Sequence, residues 1–249
     1  EQFIEKWAKS GGAELANSQL FLVELCILLD VPQPDPTQSD ESLNQYTFEK
    51  AISFNNGDGT FSAGRIDLYR QNCFVLESKQ GIERKDIEQA EQLATVTKAK
   101  KYRSGTATRG TTTWNVAMHR ARQQAKDYAE ALAEWPPFLI VADIGYCFDI
   151  YADFSQSGKN YSPFPDPKSY RVYVSDLTDE RQREKLRSIW IDPQSLDPSR
   201  RAAKVTRDIA ERLGTLAKSL EAKYTPDVVA GFLMRCLFTM FSEDIGLLP

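Results

Sequence analysis

Glu77 and Lys79 stand two residues apart, directly after the apolar run Phe74-Val75-Leu76, and Asp67 precedes Glu77 with nine residues between them. Residues two apart on an extended strand project to the same face, so a carboxylate and an ammonium are presented together. A short hairpin would fold Asp67 back beside them. Metal-assisted phosphodiester hydrolysis needs such a group. Two carboxylates can hold Mg²⁺ (or Mn²⁺ as a substitute), a hard cation that prefers oxygen ligands and keeps several waters. Such a metal polarises a phosphoryl oxygen and helps to generate the attacking hydroxide. A lysine beside it can orient the water and neutralise developing charge. The carbonyl of Ser78, between the two side chains, is a further candidate ligand. The bland reading is a solvent-facing strand, on which Asp, Glu and Lys often alternate, and a bare D-x(n)-E-x-K pattern fits that too. The core-like residues before Glu77 favour the chemical reading.

The elements that must position these residues show in the periodicity. Residues 14–30 carry Leu15, Leu22, Leu25, Leu28 and Leu29 at helical spacing, and Pro32 stops the helix. A loop with three prolines follows. From about residue 46 to 80 the pattern is a three-stranded β-meander, its first turn the hairpin-like NNGDGT and its second Gln71-Asn72. Residues 83–113 are polar, and the stretch from Thr95 to Thr113 reads as a mobile loop. A helix is expected over 115–133, ended by Pro136-Pro137. FLIVADI then reads as a strand covered on both faces, YCFDIYADF as its partner and YRVYVSDL as a last short strand. From Thr178 the pattern is helical, with a long helix over about 200–223 and a final one from Thr225 with Pro226 at its first position. The expected division is therefore 1–177 and 178–249. The fold class is α/β, a mixed β-sheet flanked by helices and followed by an α-helical linker region.

Composition narrows the function classes. A chain of 249 residues can bury one good α/β core. Its net charge of −4 argues against coating nucleic acid by bulk charge, but not against a local basic stripe. Cys26, Cys73, Cys147 and Cys236 show no CxxC spacing and His119 is the only histidine, so structural zinc is not expected. Reduced, buried thiols point to a cytoplasmic protein. The longest apolar stretch, Val228 to Phe241, is interrupted by Arg235 and too short to span a bilayer, so no membrane partner is expected. A start at Glu1 rather than Met, and an apolar helix just before Pro249, read as a piece of a longer chain.

Helix 14–30, GRIDLYRQNCFVLESKQ, ARQQAKDYAEAL and PPFLIVADIG together resemble the restriction-endonuclease-like PD-(D/E)xK superfamily. More narrowly, they resemble the N-terminal nuclease region of MmeI-like (type IIL/IIG) restriction–modification proteins, and the tail GFLMRCLFTMFSEDIGLLP is similar to the helical connector of that family. The resemblance spans nearly the whole chain. It implies a Mg²⁺-dependent DNA endonuclease domain of a phage-defence protein, acting on double-stranded DNA. It also implies adenine-specific methyltransferase and target-recognition domains in the same polypeptide or complex. No Gly-rich cofactor loop or N/D-P-P-Y/F box occurs here, so S-adenosylmethionine would bind only through a downstream region. The resemblance assigns Asp67 and Glu77 as the acids and Lys79 as the lysine, with Ile66 where a proline often stands. It places Glu24 as an extra acid near the metal and Gln124 on the helix facing the site; a solvated helix residue is the equal alternative for Glu24. Two competing readings are a catalytically silent nuclease-fold module for DNA binding or assembly, and a repair or recombination nuclease.

Other features carry less. Lys98, Lys100, Lys101, Arg103 and Arg109 lie in a stretch without acids and could grip phosphates, or form a solvated linker. NNGDGT lacks the downstream bidentate Glu of a calcium loop. His119 reads as a helix-surface residue, and the basic residues of helix 200–223 as a solvated face or a coupling surface.

Overall fold

The structure is a computed structural model that describes residues 1–8, 14–55, 59–82, 107–155 and 159–244. It is mixed α/β: an open seven-stranded sheet with six α-helices among the described residues. Helix α1 (Gln2–Ala8) is followed by α2 (Glu14–Leu29). Then come β1 (Tyr46–Asn55), β2 (Phe61–Arg70) and β3 (Phe74–Lys79), the expected meander. Helix α3 (Thr112–Ala131) leads to β4 (Phe138–Asp143) and β5 (Cys147–Ala152), then to the short β6 (Ser162–Pro163) and β7 (Arg171–Tyr173). Helices α4 (Glu180–Ile191), α5 (Pro198–Glu221) and α6 (Pro226–Asp244) complete the chain.

The strand order is β1-β2-β3-β4-β5-β6, with β7 also on β5. Among the described strands only the β3–β4 pair is parallel. Every residue of β4 and β5 is buried, as a continuous apolar run in a covered strand should be. Trp114, Met118, Ala121, Ala125 and Ala129 form the buried stripe of α3 and pack with Val75, Leu139, Val141 and Tyr151. The three alanines, one per turn, let that helix lie close to the sheet. Alternation sends Phe74 and Phe148 to the opposite face. There Phe21 of α2 stacks on Phe148 at 5.8 Å, and Trp190 of α4 meets Phe74 at 4.4 Å between ring centroids.

Three features depart from the sequence expectation. Helix α3 starts at Thr112, inside the stretch read as loop, because Thr111 Oγ1 accepts a hydrogen bond from Trp114 N (3.3 Å) and so caps the helix. Helix α1 had no expectation; its Trp7 packs edge-on against Phe21 at 5.0 Å. The first compact unit runs to Gln194 and the second from Ser195, not from residue 178. Helix α4 belongs to the first unit because Leu186, Ile189 and Trp190 are fully buried, and Trp190 Nε1 donates to Tyr46 Oη at 3.1 Å. In the second unit Asp197 caps α5, accepting from Ser199 N at 2.8 Å.

Where β2 passes under α3, a close approach requires glycine. A Cβ on Gly64 would lie 2.9 Å from both Phe54 Cε2 and Tyr128 Cε1. Gly64→Ala should therefore lower stability by about 1–3 kcal/mol, since both rings must shift. Urea unfolding measures this, and an unchanged midpoint would contradict the packing of α3 on β2.

Candidate functional site

The register of the β2–β3 hairpin runs from Arg70↔Phe74 to Leu68↔Leu76, where the backbone pairing ends just before Asp67 and Glu77. Asp67 also faces an irregularity in β1: pairing jumps from Phe48↔Leu68 to Lys50↔Ile66, with Glu49 between them at φ 54°. At this point the regular ladder gives way to side-chain bonds. Asp67 Oδ2 accepts hydrogen bonds from both Ser78 N and Ser78 Oγ, each at 2.6 Å. Lys79 Nζ lies 2.8 Å from Glu77 Oε1. Glu77 and Ser78 are each only 2% exposed, whereas the Lys79 side chain is 29% exposed. A carboxylate in such a place needs a cation or donors to stay ionised. Lys79 supplies the cation and opens the group to solvent. Ser78 acts here through its N–H and hydroxyl, which fix the Asp67 carboxylate; the sequence reading had considered only its carbonyl.

The end of β3 is held by a second acid. Lys79 pairs with Asp143 across the parallel β3–β4 ladder, and Ile144 N donates to Lys79 O at 2.8 Å. Asp143 is fully buried and meets four donor groups: Gly81 N (3.0 Å), Arg109 Nε (3.1 Å), Arg109 Nη2 (2.9 Å) and Trp114 Nε1 (2.7 Å). A Cβ on Gly81 would come within 2.7 Å of Asp143 Oδ2 and 2.8 Å of Arg109 Cγ, so this residue must be glycine. Arg109 also donates to Ile144 O (2.9 Å) and lies over the Tyr146 ring at 4.6 Å. This corrects the expectation that groups Arg109 with phosphate-gripping cations: its guanidinium is engaged inside the fold. Lys98, Lys100, Lys101 and Arg103 lie outside the described residues. A third buried acid, Asp149, is matched by Arg171 through bonds of 2.6 and 2.8 Å; burial pushes its carboxyl up, and the guanidinium opposes this.

The structure does not bring Glu24 to this group. Its carboxylate accepts from Lys6 Nζ and from Trp7 Nε1 (2.9 Å), clasping α1 to α2. Among the described residues no three His, Cys, Asp or Glu side chains gather as a metal cage; Asp67 is bound to Ser78 and Glu77 to Lys79. Gln124 Nε2 donates to Tyr128 Oη (2.8 Å), one turn along the same helix, and Tyr128 packs on Phe54 at 5.7 Å. His119 is on the exposed surface of α3, as expected. Sequence reasoning missed Asp143 and the role of Arg109; the available signal was an acid inside the otherwise apolar FLIVADI.

Two outcomes follow from these contacts. Asp143→Ala leaves Arg109 as an uncompensated buried cation and should destabilise the chain by about 3–5 kcal/mol in urea unfolding; a loss below about 1 kcal/mol, the range of exposed ion pairs, would remove Asp143 from this role. The hydrogen bond from Lys6 lowers the Glu24 carboxyl below its ordinary value of 4.5. Its contribution to stability is thus full above the unfolded-state value and is lost as pH falls through the lower folded-state value. The protection factor of the α1 amides, the intrinsic exchange rate divided by the observed rate at each pH, should fall in acid in the wild type and be less pH-dependent in Glu24→Gln. Identical profiles would show that the clasp is not ionic.

The chain matches the family described as MmeI, N-terminal domain, over residues 1–223. No curated protein and no solved structure matches it. No helix among the described residues is long and apolar enough to cross a membrane. With the match spanning most of the sequence, the chain belongs to the MmeI N-terminal domain family, which gives it the context of a restriction–modification system.

Proposed function

We propose that this chain is the Mg²⁺-dependent endonuclease domain of a restriction–modification protein, hydrolysing phosphodiester bonds of double-stranded DNA. The observation that supports this reading is the placing of Asp67 on β2 and of Glu77 and Lys79 on the neighbouring β3, with Asp67 fixed by Ser78 and Lys79 seated on Glu77. The donor chemistry fits magnesium: two carboxylates on neighbouring strands, supplemented by the Ser78 carbonyl and by water, are the hard oxygen ligands this ion takes. Bound magnesium would supply Lewis-acid polarisation of the scissile phosphate and a more acidic water.

The chain's own residues prepare the rest. The two bonds from Ser78 hold one oxygen of Asp67 and so orient the other. Glu77, rooted in the sheet, holds the Lys79 ammonium beside the acids, where it can hydrogen-bond a phosphate oxygen or the attacking water and offset charge as the phosphorane-like arrangement forms. Donors fixed before the reaction need no reorganisation during it. Methyltransferase and target-recognition functions, with S-adenosylmethionine, would belong to other domains of the same polypeptide or complex.

A second reading has one observation in its favour. No group of three His, Cys, Asp or Glu side chains gathers among the described residues, which suits a nuclease fold retained for DNA binding or assembly. The two readings separate on metal binding and cleavage. Wild-type chain should bind Mn²⁺ by electron paramagnetic resonance, and Asp67→Ala and Glu77→Ala should lose that binding. Asp67→Ala, Glu77→Ala and Lys79→Ala should each abolish Mg²⁺-dependent cleavage by the full-length protein while circular dichroism stays unchanged. Cleavage by any of them at the wild-type rate would sink the endonuclease assignment, and metal binding unaffected by both acid substitutions would favour the silent module.

A further inference from the structure

The two acids of the candidate site offer their oxygens unequally. Asp67 is partly exposed, and Ser78 holds its Oδ2 through both N–H and hydroxyl. Glu77 is only 2% exposed, and its Oε2 is closed off from solvent. An ion arriving from solution therefore meets Glu77 at Oε1. That oxygen is the one Lys79 Nζ holds at 2.8 Å.

The kind of cation matters as much as its place. Asp143 and Asp149 are each gripped by two nitrogens of one guanidinium, from Arg109 and Arg171. Such planar forks are rigid and directional, whereas a lysine is a point charge on a flexible stem. The backbone of Lys79 is fixed, since Lys79 O accepts from Ile144 N at 2.8 Å. Its side chain is 29% exposed, so the ammonium can swing toward solvent while the strand stays in place.

A buried carboxylate needs a cation or donors to keep its charge, and Lys79 meets that need for Glu77. The same contact opposes a second cation. An ammonium and a divalent ion on one carboxylate oxygen repel each other at contact distance, and the water that would weaken this repulsion is largely excluded around Glu77. Salt screens exposed charges over a Debye length of about 10 Å in 0.1 M solution, but acts far less on partly buried charges in contact.

We propose that Lys79 is a built-in competitor for the divalent cation at Glu77: ammonium and metal exchange on Oε1 rather than occupying it together. The proposal rests on the reading of Asp67 and Glu77 as metal ligands and adds an order to it. Lys79 keeps Glu77 charged until a divalent ion arrives, and only that exchange gives the ammonium up to the solvent side, where a phosphate would meet it. The lysine and the metal are thus coupled parts of one site.

The test titrates the 249-residue chain with Mn²⁺ alone at fixed pH, followed by electron paramagnetic resonance, in about 0.1 M and about 0.5 M salt. Lys79→Met should bind Mn²⁺ about tenfold or more tightly than the wild type, the scale on which one nearby charge shifts an ionic equilibrium. The gain should persist at the higher salt. Lys79→Gln, which keeps a neutral donor for Glu77, should also bind more tightly, and far-ultraviolet circular dichroism verifies that both variants fold. Lys168→Met removes one charge from an exposed position elsewhere and should bind as the wild type does. Affinity unchanged or weakened in both Lys79 variants, with binding still lost in Asp67→Ala, would overturn the competition and leave the metal ligands standing. A gain that disappears at higher salt, or that Lys168→Met shares, would reduce Lys79 to a long-range charge and overturn it too. No Mn²⁺ binding by the wild type or the Lys79 variants, or binding that survives both Asp67→Ala and Glu77→Ala, would overturn the metal site and the competition together.

Discussion

A carboxylate without solvent contact must be met by donors or lose its charge, and the sheet end that carries Glu77 and Lys79 is organised around one such group. Asp143 collects a backbone amide from Gly81, the Nε and Nη2 donors of the Arg109 guanidinium and the indole N–H of Trp114. Those donors come from the chain leaving β3, from the approach to α3 and from its first turn. One buried acid therefore ties together the exit of the strand bearing the candidate site, the helix that covers it and the neighbouring parallel strand. The glycine at position 81 is the steric counterpart of this junction, since the backbone reaches the acid only where no side chain intervenes.

Charge is handled in two distinct ways along the chain. In the first unit the acids in the sheet are matched internally: Asp143 by Arg109, Asp149 by Arg171 and Glu77 by Lys79. Their cations differ in exposure, from 9% for Arg109 through 20% for Arg171 to 29% for Lys79. In the second unit the cations of α5 are left almost without internal partners. A net charge of −4 thus coexists with a cluster of exposed cations, Arg200, Arg201, Lys204 and Arg207, at the start of α5. Membership of the MmeI N-terminal domain family gives that distribution a coherent setting.

The sequence makes the local part of this architecture readable and hides the long-range part. The meander was legible because each strand alternates or runs apolar and its turns are short, and the spacing of Asp67, Glu77 and Lys79 was readable with it. The small alanines of α3 declared a helix but not how closely it would approach Gly64. Arg109 was misread because its partner lies 34 residues away, and a lone arginine among lysines looks like part of a basic loop. The compact units divide after α4 rather than before it because this helix, polar in sequence, buries Leu186, Ile189 and Trp190, with Trp190 seated on Phe74 and bonded to Tyr46. Helix α1, with seven residues, is too short for periodicity to register.

The parallel pairing of β3 with β4 has a consequence in time. The β1–β2–β3 meander closes through neighbouring segments and can form early, whereas Phe74↔Phe138 and Lys79↔Asp143 join residues separated by an entire crossover. Contacts of such high sequence separation are the slow ones to form, because the intervening chain must be ordered first. On a chain emerging from the N-terminal end, Asp67, Glu77 and Lys79 are synthesised long before Asp143 arrives to fix the strand on which two of them stand. The chemical group is thus assembled from an early hairpin but acquires its rigid frame late, so maturation of the site is coupled to completion of the domain rather than to synthesis of the residues themselves.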